Sequence, residues 1–348
     1  MDLDLTEHQV ALQEAVTALF TKESPISVVR AAEPLGFDAA LWAKVRSMGL
    51  DTITVPEAVG GGGCGFIDLG IAVEEAGRSL APVPLVEAAV ANHLLASLAR
   101  TSDAAGSLLA QTVEGSTLAT VALRPVEGGV LRRVPAGAIA SAVVALDGDE
   151  LVALARPDVC PSDPAAVHPN LGAMPVADCA VADCERIVLA TGVGAIDAHR
   201  LAIAHWELLT TIALVGLGDR ALELGLEYVN ERRAFGVLIA TFQTIQHRLA
   251  DNVTALEGAR LLAFEAAWAH DVDDPRAREL ATMAFAFAAE ASYKTAADSL
   301  QFHGGYGYTL EYDIQLFLRR AKAWVLVAGD PRHRYVALAH RLHATEGR

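Results

Sequence analysis

From about Gly194 to the end of the chain, apolar residues recur at helical spacing in four long segments, near Ile196–Asn230, Thr241–His270, Pro275–Gln301 and Tyr312–Val327. Helices of that length can bury their apolar faces against one another, so this half of the chain predicts a four-helix bundle. One stretch resists the pattern: "QFHGGYGYTLEYD", Gln301 to Asp313, places three glycines and three tyrosines where a helix would otherwise continue. Upstream, helical spacing also dominates from Thr6 to about Leu98, and Thr6 with Gln9 forms a capping box that opens the first helix. Between about Ser116 and Leu189 the pattern shortens to runs such as "STLATVAL", "AIASAVVAL" and "ELVALAR", with the Asp-Gly turn of "LDGDE" between the last two. The reading is an α+β chain, mostly α: a helical N-terminal domain (1–115), a small β middle domain (116–192) and a C-terminal four-helix bundle (193–348).

Charge narrows the partners. Lys plus Arg number 27 against 43 Asp plus Glu, a formal charge of −16, so nucleic acid and anionic membranes are excluded as expected partners. Acids near the N-terminus do not fit a signal peptide, and the longest apolar run, around Leu208 to Leu217, is broken by Thr210, Thr211 and Gly216. A cytoplasmic protein with no transmembrane helix is expected. The four cysteines, Cys64, Cys160, Cys179 and Cys184, are too scattered for a disulfide framework and read as reduced thiols; the last two belong to a doubled tetrapeptide, "VADCAVADC". No metal site is expected.

Two glycine-bearing segments invite chemistry. "VGGGGCGFIDLG", Val59 to Gly70, lacks the Gly-Lys-Ser/Thr ending of a phosphate loop and follows no βαβ unit, so it reads as a flexible connection between helices. "NERRAFGVLIATFQTIQHRLAD", Asn230 to Asp251, sets Arg232 and Arg233 at the end of one long helix before a Phe-Gly break. Guanidinium forks suit a diphosphate, and Phe235 is placed to lie against a ring. Each residue also has a plain reading, since arginines complement the C-terminal end of a helix dipole and Phe-Gly is a common stop.

Together, "RRAFGVLIATFQTIQHRLAD" and "QFHGGYGYTLEYDIQLFLRRAKAW" some seventy residues on resemble the acyl-CoA dehydrogenase family. The N-terminal "DLTEHQVALQEAV" and the order α, β, α extend the resemblance over nearly the whole chain. It implies FAD as cofactor, an acyl-CoA thioester as substrate, α,β-dehydrogenation as reaction and electron-transferring flavoprotein as acceptor. It also implies that Arg232 and Gln243 contact FAD, with Phe235 nearby. The segment Gln301, Phe302, His303, Gly304 and Gly305 would bind the FAD diphosphate of a neighbouring subunit, its glycines letting bare backbone approach the phosphates.

The base that removes the α-proton departs from the family pattern. The usual glutamate falls at Ala328, and the alternative position on the first C-terminal helix falls at Trp206, with Glu207 one residue later and so turned ~100° about the axis. Glu207 is the candidate base of this chain, and Glu311 in "TLEYD" reads as structural. The family's flavin-ring strands have no counterpart in "VALRPVEGG" or "AIASAVVAL". A clamp with no evident base resembles the degenerate subunit of bacterial, sterol-type heterotetrameric relatives. The expected partner is then a homologous acyl-CoA dehydrogenase subunit, with a self-sufficient homo-oligomer using Glu207, or a non-flavin structural relative, as alternatives.

Overall fold

The computed structural model describes residues 4–33, 35–156, 159 and 167–346; Cys160 lies outside the described residues. In chain order the helices are α1 (Glu7–Glu23), α2 (Ile26–Ala31), α3 (Ala39–Ser47), α4 (Phe66–Arg78), α5 (Leu85–Leu98) and α6 (Asp103–Glu114). Strands follow as β1 (Ala119–Val121), β2 (Val130–Val134), β3 (Ala142–Asp147), β4 (Glu150–Ala155), β5 (Ala177–Ala180) and β6 (Glu185–Thr191). Then come α7 (Gly192–Glu231), a short hairpin of β7 (Arg233–Ala234) and β8 (Val237–Leu238), and α8 (Gln243–Asp271), α9 (Ala277–His303), α10 (Ile314–Leu326) and α11 (Arg332–Glu346). The α+β, mostly α class read from the sequence is the class observed. The chain forms two compact units, one of residues 1–27, 70–81 and 208–348, the other of 28–69 and 82–207.

The second unit carries β1 to β6. β1, β3, β4 and β6 form one sheet in that order, with β1 parallel to β3 and the other pairs antiparallel, while β2 pairs antiparallel with β5. The Asp-Gly turn is where the sequence put it: Asp147 pairs Glu150 at the end of the β3–β4 ladder, and Gly148 takes φ 65°. Leu131, Val134, Val143, Val152, Leu154 and Cys179 fill the interior between these strands. The glycine run after Val59 corrects the expectation of flexibility. Gly62, Gly63 and Cys64 donate backbone hydrogen bonds of 3.1, 2.8 and 2.9 Å to Thr52, Val55 and Ile53, and a Cβ on Gly61 would strike the Val55 carbonyl. Glycine serves there because two backbones touch, not because the chain must move.

The first unit is built on the later helices. α8 packs along α9, and α9 also carries α10 and α11. Thr6 and Gln9 cap α1 reciprocally, at 3.2 Å from the Gln9 N–H to the Thr6 hydroxyl and 3.0 Å from the Thr6 N–H to the Gln9 side chain. Helix α7 runs 40 residues and is long and apolar enough to cross a membrane, but its most apolar window is buried inside the protein, as in the core helix of a bundle. Its backbone touches that of α4: a Cβ on Gly77 would meet the Ala213 carbonyl, and one on Gly216 the Glu74 carbonyl.

An ion network joins α4, α7 and α8 within this unit. The Arg260 guanidinium donates to Glu74 and Glu257, each at 2.9 Å, and to Asp219. Burial pushes the Glu74 and Asp219 carboxyls up, and Arg260 pulls both back. Replacing Arg260 by Met keeps the aliphatic stem but leaves two half-buried carboxylates facing each other. Because these groups retain some solvent, the expected loss is ~1–3 kcal/mol rather than the full cost of orphaning a buried charge. The deficit should be largest near neutral pH. It should shrink as pH falls toward the carboxylate range, where protonation removes the need for a cation. Urea unfolding of Arg260→Met at the two pH values checks this, and a pH-independent deficit would assign the loss to packing alone.

Candidate functional site

The first candidate lies in the unit formed by the late helices. After Glu231 ends α7, the chain makes a two-residue hairpin: Arg233 pairs Leu238, Ala234 pairs Val237, and Phe235 and Gly236 occupy the turn at φ 53° and 83°. Two consecutive positive φ values define the turn whose twist matches a tight hairpin, and Gly236 adopts its share without cost. Phe235 does not, since a bulky residue at positive φ is strained. Its ring is also 97% exposed. Strain and exposure together are what a side chain kept for a contact outside its own fold would show. Arg232 is anchored through its backbone, its N–H donating to Tyr228 and its carbonyl accepting from Ile239, both at 2.9 Å, while the residue stays exposed. Gln243, also exposed, is the first residue of α8.

The glycine turn sits beside this hairpin. Phe302 packs with Val229 and Ile239 in a cluster that also takes in Tyr228, Ala234 and Phe242, so one apolar patch holds both motifs. Helix α9 ends at His303, and Gly304 leaves it at φ 61°, ψ −139°, a conformation only glycine adopts readily. Nothing lies within 4 Å of where a Cβ on Gly304 or Gly305 would stand. Behind the turn, His303 stacks on Tyr228 at 4.1 Å and meets Tyr312 edge-on at 5.3 Å, and its Nδ1 lies 2.8 Å from the Ser299 carbonyl. The structure therefore sorts the expected segment into two roles. Gln301, Gly304 and Gly305 are exposed and presented, whereas the Phe302 and His303 side chains are buried and can offer a ligand only their backbone. Glu311 is exposed at the end of the turn.

Of the expected base positions, Trp206 and Glu207 belong to the other unit, and Ala328 belongs to the unit of the late helices. Trp206 and Glu207 are both only 4% exposed on α7. Ala328 follows α10, its N–H bonded to Val325 at 3.3 Å, and offers no proton acceptor in its side chain. A group the sequence reading missed stands by Trp206: Glu87 of α5, whose carboxyl burial pushes up, while a backbone hydrogen bond and then the Trp206 side chain pull it down. Glu87 is half-buried as a residue, with protein packed around its carboxyl. Nearby, His93 and His205 meet edge-on at 4.9 Å, Phe66 lies 4.8 and 4.5 Å from them, and the His93 Nδ1 is 3.3 Å from the Thr54 hydroxyl. Burial pushes the His93 pKa down, so its ring is neutral near pH 7. The signal was present in "LVEAAVANHLLASL", where Glu, Asn and His interrupt an otherwise apolar helix.

With these sites in view, comparison with known proteins identifies the lineage. Residues 6–105 match the acyl-CoA dehydrogenase N-terminal domain and residues 197–332 match the acyl-CoA dehydrogenase C-terminal domain. The acyl-CoA dehydrogenase IpdE2 of Mycolicibacterium smegmatis is 30% identical over 332 residues, covering 94% of this chain and 96% of that protein. Among solved structures, the ChsE4–ChsE5 complex of Mycobacterium tuberculosis superposes with a TM-score of 0.86 at 24% identity, over 99% of both chains. PigA with FAD and proline gives a TM-score of 0.84 at 19% identity, again over 99% of both chains. The chain belongs to the acyl-CoA dehydrogenase family. Its class of chemistry is that of an oxidoreductase acting on acyl-CoA thioesters.

Proposed function

We propose that this chain is a subunit of an FAD-dependent acyl-CoA dehydrogenase that supplies a diphosphate clamp, while a homologous partner subunit supplies the base. The observation that carries the reading is the contrast between its two candidate sites. At Arg232 and Gly304–Gly305, an exposed guanidinium and bare backbone face outward. Where a base is needed, Ala328 and Trp206 occupy the two family positions, and Glu207 is buried one residue out of phase. The name of the ChsE4–ChsE5 complex supports an assembly of two different subunits, and PigA, solved with FAD, supports the cofactor.

The residues present fit an FAD diphosphate. Arg232 would pair with a phosphate oxygen from one side of a subunit interface, and Gln301 would donate an amide hydrogen bond to the diphosphate from the other side. Gly304 and Gly305 leave space for backbone N–H groups to approach anionic oxygens without side-chain obstruction. Phe235 would cover an aromatic ring. When bound, the flavin supplies the hydride acceptor for the substrate's β-hydrogen, and electron-transferring flavoprotein is the acceptor we assign beyond it. A second reading, a self-sufficient enzyme, is favoured by one observation, the enclosed Glu87 carboxyl beside Trp206.

The clamp is tested by substitution. Arg232→Ala and Gln301→Ala should each weaken flavin retention by ~1–3 kcal/mol, the worth of a charge-assisted or polar contact, with helicity unchanged. The measurement is flavin absorbance per protomer after gel filtration of the assembled enzyme. Full occupancy in both variants would remove the clamp from these residues.

A further inference from the structure

The doubled tetrapeptide "VADCAVADC" plays no part in the clamp, yet folding brings its two cysteines together. Cys179 lies on β5, which is hydrogen-bonded to β2, its partner in register being Leu131. Cys184 immediately precedes β6, which belongs to the larger sheet with β4. The corner between the two strands is a single turn, Val181–Asp183, closed by the Cys184 N–H donating to Val181 at 3.1 Å. That turn folds the chain back so that the two sulfur atoms stand 3.4 Å apart, both as thiols. The doubling matters here: the repeat places the second Asp-Cys pair five residues on, and the turn converts that spacing into contact.

The pair is asymmetric in the way a reactive pair needs to be. Cys179 is only 4% exposed and packs with Leu131, Val134 and Leu154. Cys184 is half-buried and its thiol donates to the Ala180 carbonyl at 3.3 Å. We propose that Cys179 and Cys184 form a reversible, peroxide-sensitive disulfide, with Cys184 the attacking thiol and Cys179 the resolving one.

The chemistry balances with hydrogen peroxide as oxidant. The Cys184 thiolate attacks one peroxide oxygen, the O–O bond breaks, and the departing hydroxide takes a proton to leave as water; Cys184 is then a sulfenic acid. The Cys179 sulfur attacks that sulfenic sulfur, its own proton and the hydroxyl group leave as a second water, and the S–S bond forms. Two thiols are oxidised by two electrons and one peroxide is reduced to two waters. A dithiol reductant reverses the step by exchange. Burial and the neighbouring Cys184 push the Cys179 thiol up to about 12, so it does not initiate the reaction. The bridge would tie the end of β5 to the start of β6 and so fix the corner where the two sheets meet.

The test uses the full-length wild-type chain, treated with hydrogen peroxide and then denatured with excess alkylating agent. The sequence separates its cysteines conveniently, since cleavage before aspartate places Cys179 in the fragment Asp178–Ala182 and Cys184 in the next, beginning at Asp183. The expected result is a linked pair of these two fragments, lighter by about 2 Da than the sum of the reduced fragments and released by dithiothreitol. Cys179→Ser should leave Cys184 carrying one or two added oxygens, heavier by about 16 Da as the sulfenic acid or about 32 Da as the sulfinic acid, while Cys184→Ser should leave Cys179 alkylated as fully as in untreated protein. Both thiols fully alkylated after peroxide, or a Cys184 oxidised to sulfinic acid in wild type with no linked pair, would overturn the proposal. Because the linkage is read in the unaltered protein, a variant that fails to fold does not decide the outcome.

Discussion

Purified without a homologous subunit, the chain should retain little flavin and convert no acyl-CoA; supplying the partner should restore both, with a rise in turnover of at least ~10²–10⁴-fold. That range is what a positioned general base contributes to proton transfer. Loss of the α-proton of a thioester needs a base held within hydrogen-bond reach. Ala328 has no such group. Trp206 offers an N–H donor where an acceptor is needed, and Glu207, rotated ~100° from that position, is buried at 4% exposure. In the assembled enzyme, Glu207→Gln and Glu87→Gln should therefore each leave most of the turnover in place, because the isosteric amides preserve packing and the proposed assembly takes its working carboxylate from the partner. The converse pattern assigns the base here. If the isolated chain dehydrogenates an acyl-CoA and loses that activity on Glu87→Gln or Glu207→Gln, the enzyme is self-sufficient, and the variant that silences it names the residue.

What the sequence revealed and what it concealed divide along a physical line. Contacts between near neighbours were legible. The Thr6–Gln9 capping box, the Asp147-Gly148 turn and the end of α9 at the glycines each depend on residues within a few positions, where chemistry and backbone conformation are coupled directly. Helix positions in the bundle were legible for a related reason, since an apolar stripe needs no knowledge of what covers it. Meetings between distant segments were not. Glu87 and Trp206 are separated by more than a hundred residues, and only their meeting in the fold makes the carboxyl a candidate acid or base. The glycine run after Val59 failed for the opposite reason. Composition indicates that glycines can move, whereas the hydrogen bonds to Thr52, Val55 and Ile53 show that they are there to let backbones touch. Phe235 falls between these cases. Its Phe-Gly break was visible, but the positive φ that makes its exposure informative came only from the hairpin register.

Glycines with different neighbours give the second large effect, and they separate a requirement of the fold from a requirement of the assembly. Gly216→Val should be severely destabilising: its side chain would be driven into the Glu74 carbonyl where α7 crosses α4, and neither helix backbone can yield as a flexible side chain does. Overpacking in a well-filled core typically costs ~1–3 kcal/mol and more where backbone itself must move, so this variant should be at or beyond the limit of a marginally stable domain. Gly305→Val has no such penalty, since its position opens onto empty space and its backbone is not left-handed. Its far-ultraviolet circular dichroism and thermal midpoint as a free chain should match the parent. In the assembled enzyme the isopropyl group would stand where the proposed anionic ligand comes within hydrogen-bond distance of backbone, and flavin affinity should fall by roughly ten- to a hundredfold, the equivalent of losing ~1–3 kcal/mol of polar contact, with a lower flavin content after gel filtration. Measuring midpoint and flavin content on both variants distinguishes the two causes. A Gly305→Val enzyme with full flavin would show that the turn meets nothing, and one that melts like Gly216→Val would show that glycine is needed there by the fold of this chain rather than by what binds it.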